Sequence, residues 1–272
     1  MNFNKPVFRW IVGGNSLPRS KFLLKKSVES IFKIYEDTFD YVLSCNDDFE
    51  YYYEFAKKYN IFFHKQEWTN EYSHWQKPLK ANQLFNTRII SGSIWKLCPP
   101  RINKAGCEIV CDNDIVLIKR CEKIDLFLKT KDRPFILEDP DPYYGAYNFH
   151  PYKKVFFNSG FYGLHPNFDF DSEIKYIWSR VGAYEMNYDD EQGLITSVLS
   201  NQKKFYLITK KEMPILLSEY VSTKCLMPMI HGIEPYSFDL WHNFKSAVGF
   251  HFAGANRRKV HRFWQSFSIK NL

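Results

Sequence analysis

The first half of this chain alternates short apolar runs with amphipathic stretches, and the strand-like runs stop on clusters of Gly, Asn or Asp. Val7 to Val12 reads as a strand ending at Gly13-Gly14-Asn15-Ser16. Ser20 to Tyr35 reads as a helix, with Phe22, Leu23, Val28, Ile31, Phe32 and Ile34 near helical spacing. Asp40 to Ser44 reads as a second strand, closed by Cys45-Asn46-Asp47-Asp48; a helix over 49–59 then leads to a strand at Ile61 to His64. A helical stretch over 78–97 passes through Pro99-Pro100 into an apolar run that stops on Asp112-Asn113-Asp114 and resumes at Ile115. Strands separated by helices predict an α/β fold, a mostly parallel central sheet flanked by helices. Ligands bind such sheets at the carboxyl ends of the strands, so the Gly13-Gly14, Asn46-Asp47-Asp48 and Asp112-Asn113-Asp114 clusters should gather on one edge.

Asp112 and Asp114 offer two hard oxygen ligands side by side, suited to a divalent cation and the phosphates it neutralises. The same residues also suit a polar turn joining two strands. Composition excludes some classes. The chain has 272 residues, 45% apolar and 25% charged, an ordinary globular balance, and no apolar run approaches the ~20 residues of a membrane span. The start resembles a strand lead-in more than a signal peptide, so the expected compartment is the cytoplasm. The six cysteines show no C-x-x-C pair, which argues for reduced thiols and against a zinc cluster. The charge of +7 is uneven: Arg257, Arg258, Lys259, Arg262 and Lys270 follow His251 with no acid, among Phe252, Phe263, Trp264 and Phe267. This tail suits peripheral contact with an anionic membrane, binding of nucleic acid or diphosphate, or a helix packed on the core.

In the second half, 137–145 reads as an acidic, Pro-rich loop, and Val155-Phe156-Phe157 as a strand running into Asn158-Ser159-Gly160. A helix follows, with Asp171 as expected N-cap, Gly182 as C′ residue and Ile174, Ile177 and Trp178 facing the core. Tyr188-Asp189-Asp190-Glu191-Gln192 opens a last helix over 193–199. No repeat or linker interrupts the chain, which predicts a single domain, with a nucleotide-binding half over about 5–118, an acceptor-binding half over about 119–250 and a basic aromatic tail over 251–272.

Taken in order, Ile94-Trp95-Lys96-Leu97, Asp112-x-Asp114, Phe157-Asn158-Ser159-Gly160, Asp190-Glu191-Gln192 and His251-Phe252-Ala253-Gly254 with Lys259 nearby resemble the motif series of GT-A fold nucleotide-sugar glycosyltransferases, most closely glycosyltransferase family 8. The likeness spans roughly residues 5–265. It implies a metal-dependent hexosyltransferase of GT-A, Rossmann-like fold. A donor sugar nucleotide, a UDP-sugar on the family's habit, would give its hexose to a glycan or lipid-linked acceptor, and no nucleic acid partner is expected. Asp112, Asp114 and His251 would ligate Mn2+ (or Mg2+), two carboxylates and an imidazole suiting manganese better than an all-oxygen magnesium site.

Lys96 stands where the family usually has Arg, at the donor phosphate or sugar. Val12, Gly13, Gly14, Asn46 and Asp47 would meet base and ribose, although Asn46 can equally cap the following helix. Asn113, Ser159, Gly160, Gly254 and Lys259 would complete the donor contacts, and Asn158, Asp190 and Glu191 are the candidate catalytic residues. The family's Gln position is Glu191 here, and the Pro-Trp that follows its C-terminal Lys is missing after Lys259. Retention of anomeric configuration follows from the resemblance; an inverting transfer with Asp190 or Glu191 as base, a non-catalytic glycan-binding protein with its 18% aromatic content, and a metal-dependent nuclease are the alternatives.

Overall fold

The computed structural model describes residues 2–13, 18–67, 94–181, 190–215 and 246–253. Its strands are β1 (Val7–Val12), β2 (Asp40–Cys45), β3 (Phe62–Lys65), β4 (Glu108–Asp112), β5 (Ile115–Leu117), β6 (Phe135–Asp139), β7 (Phe156–Leu164), β8 (Tyr206–Ile208) and β9 (Gly249–His251). The helices are α1 (Pro18–Tyr35), α2 (Phe49–Lys58), α3 (Glu122–Thr130), α4 (Phe170–Val181) and α5 (Asp190–Ser200). A seven-stranded sheet runs β3-β2-β1-β4-β7-β6-β8, and β5 pairs with β9 in a separate two-stranded ribbon. Every neighbour pair in the large sheet is parallel except β7 with β4 and with β6, so β7 alone runs backwards.

Both faces of this sheet are covered, which explains why its inner strands read as continuous apolar runs. On β4, Ile109 and Cys111 pack into the core beneath α1, α2 and α3, while Val110 belongs to the core beneath α4 and α5. Successive side chains of β6 divide the same way: Phe135 and Leu137 on one face, Ile136 on the other. Trp10 of β1 is fully buried and donates its indole N–H to Ser27 Oγ of α1 at 2.9 Å. That bond leaves the ring's apolar burial, roughly 1.5–3 kcal/mol for a large side chain, without an unpaired donor to offset it. Behind β1, Arg9 ion-pairs with Glu108 at 2.9 Å, both side chains fully buried, and donates to the carbonyls of Pro99 and Pro100.

Several expectations need correction. The span 137–145 is not wholly loop, because Leu137 to Asp139 complete β6 and pair with Asn158 to Phe156 of β7. Phe157-Asn158-Ser159-Gly160 does not end a strand; it lies inside the nine-residue β7. Asp169, not Asp171, caps α4: its carboxylate accepts from the Ser172 N–H at 3.2 Å and the Ser172 hydroxyl at 2.7 Å, while Asp171 is already in the first turn. The residue at the N-cap position of α2 is Asp48, not Asn46. Lys96 sits in a single 3-10 turn, Trp95–Leu97, preceded by Ile94; residues 78–93 of the expected helix, like Gly182, lie outside the described residues. Among the described residues no helix is long and apolar enough to cross a membrane.

One buried histidine gives a pH prediction. His150 lies in contact with Ser200 Oγ at 2.8 Å and against the Tyr144 ring at 3.9 Å, and burial pushes it down to about 4. The unfolded chain therefore binds a proton that the native state refuses, so this group's contribution is full above about pH 6.5 and is lost as pH falls toward 4. Partial solvent access limits it to about 1–2 kcal/mol. Glu191, pushed up to about 7 by burial, titrates nearby with the opposite sign, so the effect is isolated by difference. Urea midpoints of wild type and His150→Gln should converge between pH 7 and pH 4.5; a constant gap would contradict the assignment.

Candidate active site

Asp112 ends β4, and Asn113-Asp114 turn the chain out of the large sheet into β5. The Asp pair is thus a strand-joining turn, as one reading has it, and it also presents two carboxylates at the carboxyl edge. The ribbon then supplies the third group. Ile115 pairs with His251 across β5 and β9, and the Phe252 N–H donates to the Asp114 carbonyl at 2.9 Å. One ligand atom each from Asp112, Asp114 and His251 lie within 4.8 Å of one another.

The imidazole is buried, which opposes its charge, yet Asp114, 3.3 Å from Nε2, and Asp112 hold its pKa above the ordinary value. Its Nδ1 is buried with no hydrogen-bond partner among the described residues. Two carboxylates and an imidazole in this arrangement fit a divalent cation.

Lys96 ties this group to α5. Its Nζ lies 2.9 and 3.0 Å from the two Asp112 oxygens, 3.4 Å from Glu191 Oε1, and 3.3 and 3.4 Å from the Ser159 carbonyl and hydroxyl. Burial opposes the charge of this ammonium, but Asp112 and Glu191 outweigh it and raise its pKa. Burial likewise raises Asp112, against the pull of Lys96, and brings Glu191 up to about 7, with Lys96 opposing and Asp112 adding to the rise. The single point charge of lysine is thus shared between two acids on different elements.

β7 approaches through a bulge. Ile136 pairs with Tyr162 but Leu137 with Asn158, so Ser159, Gly160 and Phe161 have no opposite residues on β6. Such an insertion re-aims the chain locally, and here it carries Gly160 against Asp112 and His251. A Cβ on Gly160 would fall 2.8 Å from Asn158 Oδ1, 2.9 Å from His251 Cε1 and 3.1 Å from Asp112 Oδ2, so a larger residue would push these side chains apart. Asn158 Oδ1 accepts from the Gly160 N–H at 2.7 Å, and Asn158 Nδ2 donates to Asp139 Oδ2 at 2.7 Å and Gln192 Oε1 at 3.2 Å.

The other expected positions divide. Val12 is buried, and Gly13 lies under Asn46, whose Oδ1 is 2.5 Å from where a Gly13 Cβ would stand. Asp47 is exposed beside them. Asn113 Nδ2 donates to the Ser20 carbonyl at 3.4 Å, tying the Asp turn to α1. Asp190 is fully buried and accepts from the Ala146 N–H at 2.7 Å, which fastens the 144–147 loop to α5. Gly14, Asp189, Gly254, Lys259 and the rest of the tail beyond residue 253 lie outside the described residues. Asp139 and Lys21 were not among the site residues read from the sequence, and Gln192 entered only as the last residue of the Asp190-Glu191-Gln192 motif. Asp139 carried a signal, an acid closing the apolar run Phe135 to Leu137 much as Asp112 closes β4. Lys21, 2.6 Å from Asp48 and 3.8 Å above the Tyr51 ring, carried none.

No protein-family model matches the sequence, and neither does any curated protein. Solved structures do match in shape. Mouse xyloside xylosyltransferase 1 superposes with a TM-score of 0.53 at 11% identity, covering 91% of this chain and 97% of that one. LgtC, a galactosyltransferase in complex with donor and acceptor sugar analogs, gives 0.52 at 12% identity over 91% of this chain and 87% of its own. The bifunctional glycosyltransferase WbbM gives 0.52 at 10% identity over 94% of this chain, which spans only 47% of WbbM. The fold is GT-A, as the family resemblance implies.

Proposed function

We propose that this protein is a metal-dependent glycosyltransferase that moves a hexose from a nucleotide-diphosphate sugar, a UDP-sugar in the first instance, to a hydroxyl of a glycan or lipid-linked acceptor. The observation that carries this reading is the convergence of Asp112, Asp114 and His251 at the carboxyl edge of a GT-A sheet. These three residues would hold Mn2+, or Mg2+ in its place; when bound, the ion supplies positive charge to the donor diphosphate and to the oxygen left as the glycosidic bond breaks.

The protein's own residues divide the remaining work. Val12, Gly13, Asn46 and Asp47, at the ends of β1 and β2, receive base and ribose, a role that the family resemblance extends to Gly14. Lys96 holds Asp112 in place and adds a cation on the phosphate side; Asn113, Gly254 and Lys259 complete the donor contacts. Asn158, Ser159 and Gly160 wall the sugar, with Glu191 at the anomeric carbon, while Asp190 serves by fixing the 144–147 loop. Transfer with retention follows the family resemblance. Inversion is the second reading, favoured by a Glu191 carboxyl pushed up to about 7, where a general base is most effective at neutral pH. On this reading the protein works in the cytoplasm, with residues 257–272 as a peripheral contact to anionic membrane.

The test is a panel of UDP- and GDP-sugars, each with and without Mn2+, with the anomeric proton of the product read by NMR. One donor should turn over only with the metal, and the product's anomeric configuration separates retention from inversion. A protein that binds no nucleotide sugar in either condition would overturn the proposal and leave the glycan-binding or nuclease alternatives.

A further inference from the structure

Asp139 stands outside the groups given a role above, yet it is 4% exposed and receives three donors: the Asp141 N–H at 3.2 Å on Oδ1, and Asn158 Nδ2 at 2.7 Å and Gln192 Nε2 at 3.3 Å on Oδ2. The three side chains come from β6, β7 and α5, so the contact joins separate elements at the site. An asparagine amide can present either face, and the direction is set by its neighbours. Here Nδ2 is bracketed by Asp139 Oδ2 and Gln192 Oε1, which leaves Oδ1 to accept from the Gly160 N–H. Gly160 belongs to the bulge that lies against Asp112 and His251, and the next residue back, Ser159, accepts from Lys96. The bulge is therefore held from one side by Lys96 and from the other by Asn158.

We propose that Asp139 is a positioning residue for the metal site: by fixing the Asn158 amide it holds the Ser159-Gly160 bulge against Asp112 and His251. This rests on the metal-dependent reading above and deepens it. Groups standing behind metal ligands typically change metal affinity by about 10–100-fold when removed.

The experiment is Mn2+ binding by the full chain, read from the electron paramagnetic resonance signal of the free ion, with kcat and KM for the donor and a urea midpoint for each variant. Asp139→Ala should weaken Mn2+ binding about tenfold or more and lower kcat more than it raises the donor KM. Asp139→Asn keeps an acceptor for Asn158 and should fall between Ala and wild type, which covers the case of an unfolded alanine variant. Asn158→Asp alone sets two carboxylates against each other and should weaken Mn2+ binding as well. Combined with Asp139→Asn, it exchanges donor and acceptor, and Mn2+ affinity should recover to within about threefold of wild type. If both single Asp139 variants lose stability but keep wild-type Mn2+ affinity, Asp139 is only structural and the inference is overturned. If wild type itself binds no Mn2+, the metal-dependent reading fails first and this one with it.

Discussion

Asp112→Asn should lose metal-dependent turnover by about 10^3-fold or more and yet remain folded. The magnitude follows from rank: groups behind a ligand are worth about 10–100-fold, and on the proposed reading Asp112 is a ligand itself. The exchange keeps the shape of the side chain but removes the charge that both the cation and Lys96 require. Lys96 then has Glu191 as its remaining carboxylate, 3.4 Å away, and the Ser159 carbonyl and hydroxyl. Because the ammonium stays paired, the fold does not acquire an uncompensated buried charge, and stability should fall by only about 1–2 kcal/mol. Glu191 should titrate lower than in the wild type, since Asp112 contributes to its rise and Lys96 would no longer be shared. Donor hydrolysis at saturating Mn2+, read beside a urea midpoint, separates the two effects. Turnover within tenfold of wild type would show that Asp112 is no ligand.

The strands that build this site were readable because β1, β2 and β4 are parallel and covered on both faces, so each appears as an apolar run with a polar stop. The predicted first strand, Val7 to Val12, matches the observed one residue for residue. Asp112 and Asp114 were equally visible as local chemistry. His251 was reachable only through the ordered motif series, because its place is set by pairing with Ile115, a contact far away in the chain that leaves no local period. The reversal and length of β7 were hidden for a related reason. Asn158 to Gly160 have turn composition, but they lie at a bulge inside a strand. Asp139 acquires meaning only when β6, β7 and α5 meet, as does the contact that Gln192 makes with it, and Lys21 only when α1 packs beside the end of β2. Single positions at element ends, such as Asp169 against Asp171, depend on which carboxylate meets a free N–H, and composition cannot rank two acids two residues apart.

Arg9→Ala should destabilise the fold by about 3–5 kcal/mol, a large share of the stability of an ordinary domain. Arg9 sits mid-strand on β1, and both it and Glu108 are fully buried. Removing the guanidinium leaves the Glu108 carboxylate without its buried counter-charge and strips the donors from the carbonyls of Pro99 and Pro100. Glu108 is also committed elsewhere, since Oε2 accepts from the N–H groups of Ile102 and Asn103 at 2.8 Å each. An apolar pair at 9 and 108 would therefore orphan these backbone groups and should not restore stability, although apolar replacement of a buried ion pair is often neutral. Arg9→Lys should recover only part of the loss, because a point charge cannot reach two carbonyls and a carboxylate in fork geometry. The clamped segment, 99–103, begins two residues after the turn that carries Lys96. Activity of Arg9→Lys should accordingly fall at urea concentrations below its unfolding midpoint, as the segment loosens ahead of the global transition. Chemical denaturation followed by fluorescence, with activity measured in parallel, reads both effects; an Arg9→Ala variant within about 1 kcal/mol of wild type would mean that the ion pair is not what holds this segment.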